Sequence, residues 1–181
     1  MAKITDIAHL FLEKHIKLGD TVIDATCGNG HDTLFLAQLV GDNGIVHAYD
    51  IQSQAINNSK ELTKDYNNII FHQISHEFID VDKIDAVIFN LGYLPSGDKS
   101  ITTMQESTKK AILNLIDKFD TNKKMLILIV VYPGHSEGAK ESMWLDDYLL
   151  NLDSSFISSK YQPLNQKNAP YILTIKKKKQ T

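Results

Sequence analysis

Segments of strand character alternate with segments of helical spacing along the chain, and this rhythm narrows the fold more than any other feature. Residues 4–17 (ITDIAHLFLEKHIK) place apolar side chains at helical intervals, residues 21–26 (TVIDAT) read as a strand, and 31–40 as a helix opened by a glycine-bearing loop. A strand over 45–50 (IVHAYD), a helix over 52–65 and a strand over 69–73 follow. Next come a strand over 86–91 (AVIFNL), a helix over 103–119, a strand over 125–132 and a helix over 138–150. Two final strands, 155–162 and 170–177, are joined by the polar turn PLNQKNAP. Such alternation predicts a parallel sheet with right-handed crossovers and helices on both faces. The last two strands have no helix between them and should form an antiparallel hairpin at one edge. The expected architecture is a Rossmann-like α/β fold with a seven-stranded, mostly parallel sheet.

A chain of 181 residues is long enough to bury such a core as a single domain, here 1–181, with a helix within 1–18 packing on the sheet. The longest apolar run, MLILIVVY (125–132), is far short of the roughly 20 residues needed to span a bilayer. It reads instead as a strand buried on both faces. The N-terminal segment lacks the uninterrupted apolar stretch of a secretory leader, so a cytoplasmic protein with no membrane role is expected. A single cysteine, Cys27, excludes an intramolecular disulfide, and no cluster has zinc spacing, so no metal is expected. A net charge of −3 argues against a protein that coats nucleic acid non-specifically. All 19 basic residues are lysines, so no guanidinium fork is available for phosphate. The run Lys176–Lys179 reads either as a solvated end or as an RNA-facing patch.

The first strand runs into DATCGNGHDT (24–33). In a doubly wound sheet a ligand sits beyond the carboxyl ends of the strands, and the first turn is where it meets bare backbone. Gly28 and Gly30 permit that close approach. Asp24 can accept from a ligand ammonium, directly or through water, and favours a positively charged sulfonium cofactor over a pyrophosphate. Asp50 ends the second strand at the spacing of a ribose-diol partner, with Gln52 close enough to border an adenine. Cys27, Asn29, His31 and Asp32 belong to the same loop, and His76 follows the third strand where an adenine would lie. A plain strand-to-helix turn would explain the two glycines alone. The glycines, the Asp and the βαβ spacing together point to a nucleotide-type cofactor, and Asp24 makes S-adenosylmethionine the expected one.

The fourth strand ends in NLGYLP (90–95). Asn90 offers an amide oxygen, and backbone carbonyls beside Gly92 accept from an amine, which would orient its lone pair. Tyr93 suits stacking on a planar base and Pro95 stiffens the loop. Methylating an amine requires the free base, for which His135 in YPGH (132–135) is the better candidate and His31 the other. Glu137 and Glu141, read as exposed carboxylates at a helix start, could receive a cationic aminomethyl group or simply favour the helix dipole.

DATCGNGHDT, the AYD-x-Q strand end, NLGYLP-x-GDKSITT and VVYPGH-x-EG-x-KE together resemble a small bacterial family long filed as rRNA methylases, the MnmM or YtqB-like group. The resemblance covers nearly the whole chain. It implies a class I S-adenosylmethionine-dependent methyltransferase acting on tRNA at the wobble position, converting 5-aminomethyl-2-thiouridine to 5-methylaminomethyl-2-thiouridine. It further implies that Asp24, Gly28, Asn29, Gly30, His31, Asp50 and Gln52 hold the cofactor. Asn90, Leu91, Gly92, Tyr93, Leu94 and Pro95 would form the acceptor site, lined by Tyr132, Pro133 and His135. A homodimer is implied, and would widen the surface for an anticodon stem-loop. Rival readings are a methyltransferase of rRNA or a small amine, a non-catalytic RNA-binding module, and a nicotinamide oxidoreductase. The last would want a third glycine where Thr33 stands.

Overall fold

The computed structural model describes residues 3–92, 105–134 and 136–179, with the backbone alone at 105, 136 and 137. Its helices are α1 (Ile4–His15), α2 (His31–Val40), α3 (Ser53–Leu62), α4 (Gln105–Lys118) and α5 (Ser136–Leu150). Its strands are β1 (Thr21–Asp24), β2 (Ile45–Tyr49), β3 (Ile69–His72), β4 (Ala86–Leu91), β5 (Leu126–Val131), β6 (Phe156–Tyr161) and β7 (Tyr171–Lys177). They form one seven-stranded sheet in the order β3-β2-β1-β4-β5-β7-β6. β1 to β5 run parallel, while β7 lies antiparallel to both β5 and β6. This is the Rossmann-like sheet with its terminal hairpin that the alternation predicts.

The helices cover both faces. Val22, Val46, Ile88, Leu128 and Val130 pack against Ala8 and Leu12 of α1 and Leu36, Ala37 and Val40 of α2. Ile23, Val87, Phe89, Ile127 and Ile129 pack against Ala111, Ile112 and Leu115 of α4 and Leu145 of α5. None of the six β5 side chains is more than 1% exposed. Burial on that scale is worth about 1.5–3 kcal/mol per large aliphatic residue and is what a run without alternation buys.

Strand order reverses at β1, which has β2 on one side and β4 on the other. In an open α/β sheet that reversal leaves a crevice at the carboxyl ends of the strands. β1 ends at Asp24, two residues short of the expected Thr26, whose hydroxyl accepts the Asn90 backbone N–H at 2.7 Å. Between β3 and β4 the chain makes one 3-10 turn, His76–Phe78.

Candidate active site at the strand tips

The turn after β1 is tied to the strands on either side of it. Ala25 N–H donates to Ile88 O at 2.9 Å and Cys27 N–H to Tyr49 O at 2.9 Å. The Asp50 carboxylate closes the turn from the β2 side, accepting from Gly28 N–H at 3.0 Å and Gln52 N–H at 2.9 Å. Gly30 then opens α2 in the left-handed region, at φ 85°. A Cβ there would come within 2.7 Å of Ser59 Cα in α3, so the position requires glycine for its backbone angle and for space. No side chain caps α2, and the bare backbone of Gly28–Gly30 fits a ligand that must approach closely.

Three carboxylates gather at this turn. Asp24 is fully buried, with Thr33 Oγ donating to one oxygen at 2.6 Å and Thr26 N–H to the other at 3.2 Å. Its carboxylate is therefore engaged inside the turn rather than presented at the surface. Burial, and after it the neighbouring Asp32, pushes its pKa up to about 7. Asp32 and Asp50 complete a negative environment, which suits a cationic cofactor and opposes a phosphate.

The same turn meets the tip of β4. Asn90 Nδ2 donates to Asp32 Oδ2 at 3.0 Å, and Asp32 Oδ1 lies 2.7 Å from His9 Nε2 of α1. An ionised carboxylate only accepts, so the amide NH2 of Asn90 must face Asp32 and its carbonyl oxygen must face away. At the tip of β5, Tyr132 stands beside Gly92, where a Cβ would lie 3.8 Å from the Tyr132 ring. Burial, then Asp32, pushes the Tyr132 hydroxyl up to about 12, so it remains a donor.

Asp24, Gly28, Gly30, Asp32, Asp50, Gln52 and Asn90 are brought to one place, with Tyr132 and Pro133 on the adjacent strand end. Asn29 accepts from Asn58 Nδ2 at 3.0 Å, and His31 is exposed at the start of α2. The Cys27 side chain packs with Ala48 and Ile56, and burial pushes its thiol up to about 12. His76 is buried against the turn, its Nδ1 donating to Ala25 O at 3.1 Å, and burial lowers its pKa to about 4, leaving it neutral. The Leu91 side chain belongs to the core, so any part it takes in an acceptor loop falls to its backbone. Tyr93, Leu94, Pro95 and His135, and the Glu137 side chain, lie outside the described residues.

One expectation is corrected. Glu141 is buried, 4% exposed, rather than an exposed carboxylate, because it shares with Leu145, one turn on, the face of α5 that packs on the core. Of the two readings of the run Lys176–Lys179, a solvated end or an RNA-facing patch, the fold favours the first, since the run lies at the end of the sheet away from the strand tips. β7 is antiparallel, so Lys176 pairs with Leu126 at the start of β5 while the site lies beyond Val131, about 17 Å away. Lys177 is moreover held by Asp120.

His9, Thr26 and Thr33 belong to the site and were not read as functional from the sequence. Thr33 carried a signal, since a hydroxyl replaces glycine there and reaches the strand-end carboxylate. His9 carried none. Ile51, beside Asp50, is apolar yet 53% exposed at the β2 tip.

Comparison with known proteins agrees with this geometry. The family described as "Putative rRNA methylase" matches residues 46–177. A chloroplastic tRNA (mnm(5)s(2)U34)-methyltransferase of Arabidopsis thaliana is 37% identical over 94% of this chain and 68% of its own length. The crystal structure of a "putative rRNA-methylase" from Clostridium thermocellum superposes with a TM-score of 0.88 at 37% identity, over 98% of each chain. A "putative methyltransferase" from Streptococcus mutans, solved in complex with SAH, superposes at 0.85 with 31% identity over 98% of this chain and 99% of that one. With the strand-tip turn, the Asp50 clamp and the Asn90 amide in one crevice, the chain belongs to this rRNA-methylase family and is an S-adenosylmethionine-dependent methyltransferase of Rossmann-like fold.

Proposed function

We propose that this methyltransferase acts on tRNA, transferring a methyl group to the aminomethyl nitrogen of 5-aminomethyl-2-thiouridine at the wobble position to give 5-methylaminomethyl-2-thiouridine. The observation that carries the reading is the fixed amide of Asn90. Its backbone N–H is held by Thr26 and its Nδ2 by Asp32, which leaves the carbonyl oxygen to accept from an incoming amine. An N–H donated to that oxygen turns the nitrogen lone pair toward the methyl donor, a gain from positioning. Similarity to a relative named for mnm(5)s(2)U34 over 94% of the chain supports this substrate.

Bound S-adenosylmethionine supplies a methyl group made electrophilic by its sulfonium. Asp50 would hold the ribose hydroxyls with the lone pairs that Gly28 and Gln52 leave open, and Gly28, Asn29, Gly30 and His31 would border the cofactor. Asp32 and Asp50 supply negative charge. The amine enters as the free base and sheds a proton once the N–C bond has formed. Tyr132 is held protonated, and Asp32 already accepts on both oxygens. His135 is the side chain of the acceptor region with the chemistry to take that proton. By the family resemblance, Tyr93 would stack on the base, with Leu94 and Pro95 in the same acceptor segment. The enzyme is cytoplasmic and works as a homodimer, whose second protomer extends the surface for the anticodon stem-loop.

Nucleoside mass spectrometry of tRNA from a deletion strain tests the substrate. Accumulation of 5-aminomethyl-2-thiouridine is expected. An unchanged tRNA profile with a methyl group missing from rRNA would move the activity to the ribosome.

A further inference from the structure

α1 contributes to the strand tips a histidine that no site motif contains. His9 Nε2 lies 2.7 Å from Asp32 Oδ1, and the other oxygen of the same carboxylate receives Asn90 Nδ2 at 3.0 Å. The imidazole is itself fixed, stacked on Phe35 with ring centroids 3.8 Å apart and planes 2° from parallel. Phe35 lies one turn beyond Asp32 on α2, so a single helix supplies both the acceptor and the ring that aims the donor.

We propose that His9 is a positioning residue for methyl transfer: through Asp32 it sets which end of the Asn90 amide faces the acceptor amine. This rests on the amine-methylation reading above. The terminal torsion of asparagine is soft and roughly two-fold, so packing alone does not distinguish its oxygen from its nitrogen. If Asn90 turned over, Nδ2 would face the amine, donor against donor, and the lone pair would lose its alignment. Asp32 prevents the turn only while its carboxylate holds one orientation. It is buried, 8% exposed, beside the fully buried Asp24 carboxyl, and the His9 N–H holds Oδ1 so that Oδ2 stays on Asn90. The donor must be Nε2–H, because the carboxylate accepts only. His9 touches neither cofactor nor substrate in this role.

Crossed substitutions separate hydrogen bonding from packing. His9→Phe keeps the stack on Phe35 and removes the donor; His9→Gln removes the ring and returns an N–H2 near the position of Nε2. Both are assayed with the holoenzyme on tRNA from a strain lacking the enzyme. We expect His9→Phe to lower kcat about 10- to 100-fold, the usual weight of a hydrogen bond to a charged group. Its cofactor Kd and tRNA KM should stay within about threefold, and His9→Gln should recover most of kcat. Independently of turnover, the Asn90 side-chain amide protons in a 1H–15N spectrum should move in His9→Phe and return in His9→Gln. Wild-type kcat in His9→Phe, or an Asn90 amide signal that does not move, overturns the proposal. So does activity that follows the ring rather than the donor. If His9→Phe does not fold, His9→Ala takes its place as the donor-free variant. Wild-type enzyme that leaves this tRNA unmethylated would sink the substrate reading alone, since the amide signal still tests His9.

Discussion

Asp50 fixes two backbone N–H groups, one from each arm of the crevice, and so holds the turn after β1 against the tip of β2. In the proposed cofactor site its remaining lone pairs would accept from the ribose hydroxyls. An Asp50→Ala variant loses both the clamp and the ribose acceptor, so calorimetric titration with S-adenosylmethionine should show affinity lowered at least about 100-fold, with the circular dichroism of the fold retained. Unchanged affinity would remove Asp50 from the cofactor site. Asp50 was legible in the sequence because its distance from the glycines is set by one βαβ unit, a local quantity. His9 was not. It sits 23 residues before Asp32 and outside every motif, and only the packing of α1 against α2 brings them together. Asp24 lies between these cases. Its place at the end of β1 was readable, but whether the carboxylate turned toward a ligand or into the turn depended on Thr33 reaching back from α2.

At the scale of elements, legibility followed punctuation. α2 covers 31–40 and β4 covers 86–91, as read from the sequence, and α2 is bounded by Gly30 and Gly41, both at positive φ. Strand ends drifted where a side chain replaced the ladder, as Thr26 does beyond β1. The 3-10 turn between β3 and β4 is too short for any periodicity to register. The position of the lysine run required the direction of β7, which depends on how the hairpin docks on β5 rather than on the composition of either strand. This has a consequence for RNA binding. Lys178→Glu combined with Lys179→Glu reverses two exposed charges at the end of the sheet remote from the site. The KM for tRNA should stay within about twofold in 150 mM salt, where charges this distant are screened. A tenfold rise would place the RNA path across the opposite end of the molecule.

For the whole molecule, two buried groups behind the turn tilt stability with pH in opposite directions. Asp24 rises from an ordinary 3.8 to about 7 on folding, by burial and then by the charge of Asp32. The folded state keeps this proton where the unfolded chain has released it. The contribution is full below about 3.8 and is lost as the pH rises through 7. His76 falls from 6.5 to about 4, chiefly by burial, so the unfolded chain takes up the proton first. Its contribution is full above 6.5 and is lost as the pH falls through 4. Between these limits the slopes oppose, each capped at about 1.4 kcal/mol per pH unit. Asp24→Asn preserves the turn, since its Oδ1 accepts from Thr26 N–H while its Nδ2 donates to the Thr33 hydroxyl. Its urea midpoint should therefore fall more steeply than that of the wild type as the pH drops from 6.5 to 4. His76→Asn places an amide N–H where Nδ1 donates to Ala25 O, and its midpoint should climb relative to wild type over the same interval. Both variants running parallel to wild type would mean that neither buried group changes its proton affinity on folding, and the turn would then owe its shape to hydrogen bonds without the stored charge.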